Sequence, residues 1–441
     1  MEGQFVDNSM NQLFSFFDEH FVFDTLKIYG GFVLKFWWLW LPLFLFFVFF
    51  QSWMYYIRRK FRMETPYVLL EIKPPKEIEQ SPKIAEAIFA GVYGISGTVT
   101  TKAEKYLKGA TQHYFSFEIV GIGGQIKFLV RVPAIHRNLI EAKIYAEYPQ
   151  EEISQVEDYV YNLPSGVLDR DWDIWGTFLQ LTKENPYPIR TYQEFVDILP
   201  KQPFIDPISN LMEVMTKLRP GEQIWIQIFT RPTPDSWIEE GKKIVGKLIG
   251  RTETKKKGVF AEELSGWSAA FGAVKEEIAT GKTAPSVSVK EEKPAHPSLM
   301  QFLSPGEKEV VDAIERKMAK KAFESKIHVL YLGKKDVFFK PTISSIFGFL
   351  NQFATLNLNG FKPNARYTTK AYYVLPARRL AFKKRILLKL CQQRTFWEKG
   401  FILNIEELAS LWHFPATIVA APVAPAVEAK KGAPPPELPT A

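Results

Sequence analysis

Gly281-Lys282-Thr283 has the end of a phosphate-binding loop. In such a loop, glycine-flanked backbone N–H groups wrap the phosphates, the lysine reaches them and the hydroxyl holds Mg²⁺. The glycine required five residues before Gly281 is Glu276, whose charge repels phosphate, and Pro285 follows where a helix should begin. Gly121, Gly123 and Gly124 carry part of a dinucleotide fingerprint, but the third glycine falls at Ile126 and a strand pattern follows. A hairpin turn accounts for them better. Asp169, Asp171 and Asp173 alternate like calcium ligands, yet the turn glycine would be Ile174 and the bidentate glutamate Gln180. A capped turn before a strand fits them. The six histidines (His20, His113, His136, His296, His328 and His413) share no metal-ligand spacing. Ser165-Gly166 lacks the flanks of a nucleophile elbow. No catalytic, cofactor or metal constellation emerges, and the chain reads as non-enzymatic.

The remaining chemistry is charge. Between Lys362 and Lys399 eleven basic residues face one acid, Glu398. They include Arg378, Arg379, Lys383, Lys384 and Arg385, the candidate docking residues. Three readings compete: the solvated face of a helix, a contact with anionic lipid, or a contact with nucleic acid or an acidic partner. The net charge of +8 is modest, so its distribution matters more than its sum. The one cysteine, Cys391, excludes an internal disulfide and cysteine-based zinc sites.

The element that positions everything else is Phe36–Ile57, FWWLWLPLFLFFVFFQSWMYYI, which holds no charge. As a helix it spans roughly 33 Å, against a hydrocarbon core of about 30 Å. Trp37, Trp38 and Trp40 crowd one end; Trp53, Tyr55 and Tyr56 crowd the other, as in interfacial aromatic belts. Arg58, Arg59, Lys60 and Arg62 follow at once, while the amino-terminal side is acidic. The positive-inside tendency puts the amino terminus outside and the bulk in the cytoplasm, with a single pass through the cell (inner) membrane. Residues 1–35 become an extracytoplasmic lead-in and 36–57 a transmembrane helix.

Beyond residue 64 strands and helices alternate. Strands are expected at Tyr67–Ile72, Tyr114–Val120, Gln125–Val132 and Glu152–Val160. One helix starts at Ser81-Pro82 and carries Ile84, Ala85, Ile88, Phe89 and Val92 on one face. Another opens at Pro133 with Ile135, Leu139, Ala142 and Ala146 on one side. The order strand, helix, strand, strand, helix, strand is the ferredoxin-like split arrangement, assigned to 64–162. A second α+β unit covers 163–250 and 300–414. It includes a strand at Ile174–Leu181, a helical stripe at Ile208, Leu211, Met212, Met215 and Leu218, and a two-faced apolar strand around Ile224–Phe229. A helix follows at Trp237–Ile249. After the insertion, Ser304-Pro305-Gly306-Glu307 is a capping box for a helix bearing Val310, Val311, Ile314, Met318 and Ala322. A strand at Lys326–Leu332 and a helix at Ile343–Ala354 come next. Residues 251–299 read as a flexible linker with a weak helix at Val259–Ile278, and the Pro/Ala-rich 415–441 as a disordered tail. The fold class is α+β: one amino-terminal transmembrane helix followed by two ferredoxin-like cytoplasmic units.

Two stretches carry a family resemblance. One is TPYVLLEIKPPKEIEQSPKIAEAIFAGVYG (65–94) with SFEIVGIGGQIKFLVRVP (116–133) and AKIYAEYP (142–149). The other is FILNIEELASLWHFP (401–415). Together they resemble the non-ATPase, amino-terminal part of TraC-like and HerA/FtsK-like conjugative-transfer membrane ATPases, most of all the versions in uncultured, reduced-genome bacteria. In that family a run similar to Glu406–Pro415 stands just before the nucleotide-binding domain. This chain ends where the ATPase would begin, so no nucleotide-binding residue is carried over. The resemblance implies a membrane module of a type IV secretion-like or DNA-translocating machine, with the ATPase supplied as a separate chain. The expected partners are the bilayer, that ATPase in trans and a second copy of the chain, with nucleic acid only indirectly. The competing class is a membrane-associated enzyme or lipid-surface protein whose site the sequence does not display.

Overall fold

The computed structural model describes residues 35–74, 82–95, 101–163, 171–195, 206–250, 303–373, 375–394, 396 and 399–415. The lead-in 1–34, the linker 251–299 with its weak helix and phosphate-loop remnant, and the tail beyond Pro415 lie outside the described residues. The chain divides into two compact units, 1–66 with 98–112, and 67–97 with 113–441.

The described part of the first unit is one long helix and a short return segment. Helix α1 runs Trp37–Glu64, 28 residues, with Pro42 inside it. Its length and apolar composition are enough to cross a membrane. From Leu43 to Phe50 every side chain is exposed. Thr65 closes the last turn by donating to the Phe61 carbonyl from its backbone N–H and from Oγ1. Residues 104–108 form one π-helical turn that ends at Gly109 in the left-handed region.

The second unit is mixed α/β, built on one nine-stranded sheet whose pairs are all antiparallel. Its elements follow in chain order as β1 (Tyr67–Lys73), α2 (Lys83–Ile95), β2 (Phe115–Ile122), β3 (Gln125–Pro133), α3 (Arg137–Glu147), β4 (Glu152–Gln155) and β5 (Trp172–Leu181). Then come α4 (Pro207–Thr216), β6 (Glu222–Pro232), α5 (Trp237–Leu248), α6 (Pro305–Met318), β7 (Ala322–Lys334), α7 (Pro341–Asn351), β8 (Phe361–Pro363), α8 (Pro376–Gln393), β9 (Phe401–Asn404) and α9 (Ile405–Leu411). The strand order is β4-β1-β3-β2-β6-β7-β5-β8, with β9 beside β7. The two halves do not make separate sheets. They join where β2 meets β6, from Phe115 opposite Thr230 to Ile122 opposite Gln223.

Alternation along the strands gives the sheet two apolar faces. Phe117, Ile119, Ile226, Ile228, Ile327 and Val329 point to the larger core, where α2, α3, α4, α7 and α9 bury their stripes. Val120, Leu129, Trp225, Leu330 and Leu332 point to the smaller one, covered by α8 and by Tyr159 and Val160. The stripes of α2 and α4 and the capping box of α6 lie as their sequence patterns require. Gly123 and Gly124 hold φ of 54° and 90° in a hairpin turn, which explains both glycines. Helices α5 and α6 pack on each other through Ile244, Val245, Val311 and Ile314.

Three expectations are corrected. Helix α3 starts at Arg137, after a 3-10 turn at Ala134–His136, not at Pro133. That shift rotates its buried face to Ile140 and Ile144 and leaves Ile135 77% and Leu139 55% exposed. The strand expected to reach Val160 stops at Gln155, because Asp158 caps a 3-10 turn at Tyr159–Tyr161. Ala322 opens β7 and is not part of α6.

Candidate functional site

The basic block becomes α8, an 18-residue helix with no acidic residue in it. Its inner face is apolar: Leu387, Leu388 and Cys391 are buried against the sheet. Gly176 on β5 permits this approach. A Cβ there would lie 2.7 Å from Leu387 Cδ2 and 2.7 Å from the Val329 carbonyl oxygen. Only a residue without a side chain fits under the helix.

Polar contacts then fix the helix along its length. Lys383 turns back into the fold, and its Nζ donates to the carbonyls of Ala365, Thr368 and Lys370 at 3.3, 3.2 and 3.1 Å. Lys384 pairs with Asp173 on β5. These two lysines are half-buried, so the five nominated residues do not form one solvated face. The sequence cannot reveal this, because the acceptors are backbone carbonyls and a carboxylate some 210 residues away. Of the aspartate triplet, Asp169 lies outside the described residues. Asp173 is committed to Lys384, and no group of three His, Cys, Asp or Glu suited to a metal ion occurs among the described residues.

The end of α8 is held by Arg394, whose left-handed φ of 48° swings its guanidinium under the sheet. It is buried, and it grips two carboxylates. Nε and Nη2 donate to Glu118 at 2.6 and 3.0 Å, and Nη1 and Nη2 donate to Asp158 at 2.6 and 2.9 Å. Glu118, also fully buried, accepts further bonds from Ser116 Oγ at 2.5 Å and the Tyr159 hydroxyl at 2.7 Å. Gln227 donates to the Tyr159 oxygen, and Tyr114 donates to the Arg394 carbonyl. Burial alone would lower the affinity of the guanidinium for its proton. The Glu118 carboxylate outweighs it and holds Arg394 well above its ordinary value. Burial beside Glu118 pushes the Tyr159 phenol well up. Sequence reasoning missed this network. The available signal was Ser116 and Glu118, polar residues on alternate positions of a strand that is otherwise apolar.

The outer face of α8 is what remains. Arg378, Arg379, Arg385 and Lys389 are exposed, and Phe382, Ile386 and Leu375 lie among them at helical spacing. Phe382 is 65% exposed, and Tyr372 and Tyr373 ahead of the helix are 75% and 78% exposed. Arg379 is steadied by a bond to the Tyr373 carbonyl. The result is a cationic, partly aromatic strip on a helix whose opposite side is locked to the sheet.

The FILNIEELASLWHFP run plays a different part. Its polar residues are turned inward. Glu407 accepts from the Ile189 N–H at 2.8 Å and pairs with the fully buried Lys317. Glu406 takes Thr191 and Lys320, Ser410 accepts from the Tyr192 N–H, and His413 meets Asp206. Asn404 and Glu407 close a capping box. Trp412 and Phe414 pack with Phe117 and Phe128 in the larger core. The motif is therefore a structural clasp that ties β9 and α9 to the sheet.

A family model described as a domain of unknown function (DUF8128) matches residues 59–424. No curated protein matches the chain.

Proposed function

We propose a function from one premise: the chain belongs to the DUF8128 family, a domain of unknown function. It is a membrane-anchored, non-enzymatic scaffold that presents the outer face of α8 to an acidic partner. α1 crosses the cell (inner) membrane once with the amino terminus outside, and the sheet stands on the cytoplasmic side. Each half of the sheet is a ferredoxin-like unit. In support, the first four strands run 4-1-3-2 across the sheet, and β6-β7-β5-β8 repeats that order in reverse when β5 to β8 are counted one to four.

The observation that carries the reading is the α8 strip. Arginine and aromatic side chains on a rigid element are what protein interfaces concentrate, and a helix without a carboxylate favours an acidic surface. The partner we assign is a HerA/FtsK/TraC-like ATPase in trans, following the resemblance of 65–149 and 401–415 to the non-ATPase part of those enzymes. Charge pairing of this kind speeds encounter and fades with salt, since screening acts within about 8 Å at physiological ionic strength. The test is Arg378→Glu with Arg379→Glu and Arg385→Glu, all three on the exposed side. The triple variant should insert and fold as wild type does, yet lose the ATPase from detergent-solubilised membranes in a salt-dependent way. Retention of the same partner at low salt would defeat the docking reading. Loss of binding to anionic liposomes with the partner retained would make α8 a lipid-binding helix.

A further inference from the structure

Within the first unit, the segment 101–110 folds back on α1. The Tyr106 ring lies 6.1 Å from that of Phe50. Gly109 meets the helix backbone itself. A Cβ on Gly109 would stand 2.5 Å from the Ile57 carbonyl carbon and 2.7 Å from the Arg58 nitrogen, and its φ of +67° also excludes most side chains. Met54 and Ile57 are buried, whereas Pro42–Trp53, Tyr55 and Tyr56 are exposed. The turn is closed by the Ala110 N–H donating to the Glu104 carbonyl at 2.9 Å.

What this segment shows to the outside is amphipathic. Leu107 is 71% exposed, and Tyr106 is exposed beside it. Lys102, Lys105 and Lys108 are all exposed. Phe50 stands eight residues before Arg58, roughly 12 Å along the helix axis. If Arg58 marks the headgroups, the Tyr106 ring reaches into the aromatic belt formed by Trp53, Tyr55 and Tyr56. The lysines, on long stems, can reach the headgroup layer from there. Arg58, Arg59 and Lys60 are at the same level on α1.

We propose that residues 101–110 are a second membrane contact, an interfacial wedge docked on α1 that inserts Tyr106 and Leu107 and holds anionic phospholipid headgroups with Lys102, Lys105 and Lys108. This rests on the reading that α1 spans the bilayer. It makes the attachment a two-element collar, fixed in rotation as well as in depth, where a lone helix is free to spin. The partner is the lipid surface, because the exposed apolar side chains continue the lipid-facing surface of the helix, and the lysines continue its basic flank.

The test is nitroxide depth measurement on the full chain in phosphatidylcholine vesicles with and without phosphatidylglycerol. Labels go on Leu107→Cys, on Val48→Cys as a marker of the span and on Tyr161→Cys as an exposed control. Cys391 is buried and its thiol is pushed up by that burial, so the native chain is the unlabelled background. Leu107 should show a ratio of oxygen to water-soluble nickel collisions several-fold above that at Tyr161. Phosphatidylglycerol should deepen it, and Lys102→Gln with Lys105→Gln and Lys108→Gln should abolish the deepening. Gly109→Val should undock the wedge and return Leu107 to water while Val48 stays in hydrocarbon. If Val48 reads hydrocarbon and Leu107 reads water in the native sequence, the wedge is wrong and the span stands. If both read water, the span and the wedge fail together. Deepening that survives the triple glutamine change refutes the headgroup contact, and depth that survives Gly109→Val refutes the docking.

Discussion

Replacing Arg394 with methionine removes four hydrogen bonds and one buried positive charge while keeping much of the stem. The two carboxylates do not suffer equally. Asp158 is 23% exposed and can recruit water, whereas Glu118 has no exposed surface and keeps only Ser116 and Tyr159. The cost is therefore that of an uncompensated buried charge, about 3–5 kcal/mol. The strained φ at this position is common to both variants and drops out. Adding Glu118→Gln to Arg394→Met removes the orphaned charge, and the loss should fall to about 1–2 kcal/mol, the scale of missing neutral hydrogen bonds. The expected coupling between the two sites is thus at least about 1 kcal/mol. Pulse proteolysis of the full chain in detergent across a urea series reads these differences. Hydrogen exchange over 376–394 should quicken in the single variant and recover in the double. A loss below about 1 kcal/mol for Arg394→Met, or two effects that simply add, would show that Arg394 does not hold α8.

Gly176→Ala should destabilise by about 1–3 kcal/mol, because its methyl meets Leu387 and the Val329 carbonyl at 2.7 Å; an unchanged urea midpoint would mean α8 does not press on β5. Burial pushes the Glu151 carboxyl up to about 9, and neither of its oxygens has a hydrogen-bond partner. The folded state then keeps a proton that the unfolded state releases above 4.5, so this contribution is full below that pH and is lost as pH rises towards 9. Glu151→Gln should raise stability at pH 7 by up to roughly 3 kcal/mol and flatten that slope, and a melting temperature lower than wild type at pH 8 would contradict it. Burial holds His328, stacked on Phe178, well below its ordinary value. The unfolded chain therefore binds the extra proton, and stability should fall as pH drops below 6.5 by up to about 1.4 kcal/mol per unit. His328→Leu should remove that acid slope, and an unchanged profile between pH 7 and pH 5 would refute the assignment.

The parts of this fold that the sequence displays are those set by local spacing. The stripe at Ile208–Leu218, the hairpin glycines and the Ser304–Glu307 capping box depend on neighbours within four residues, and each stands where the pattern puts it. Two apolar stripes compete in 135–148, and the 3-10 turn before Arg137 decides between them. At the candidate site the exposed Arg378, Arg379 and Arg385 were legible from charge alone. Lys383 and Lys384 were not, since their partners come from other strands and loops. Arg394 looked like one more basic residue of the block. Its role depends on Glu118 and Asp158, 276 and 236 residues away, and only the folded sheet brings them together.

The most direct measurement of the central claim is a photo-crosslinker at Phe382, the exposed aromatic in the middle of the α8 strip. The full chain would carry benzoylphenylalanine there and be irradiated in its native membranes. The account predicts one protein adduct whose partner contains a nucleotide-binding ATPase domain, and its loss when Arg378, Arg379 and Arg385 are reversed to glutamate. An adduct only to lipid or to a second copy of the chain, or a protein adduct indifferent to those three charges, would contradict it.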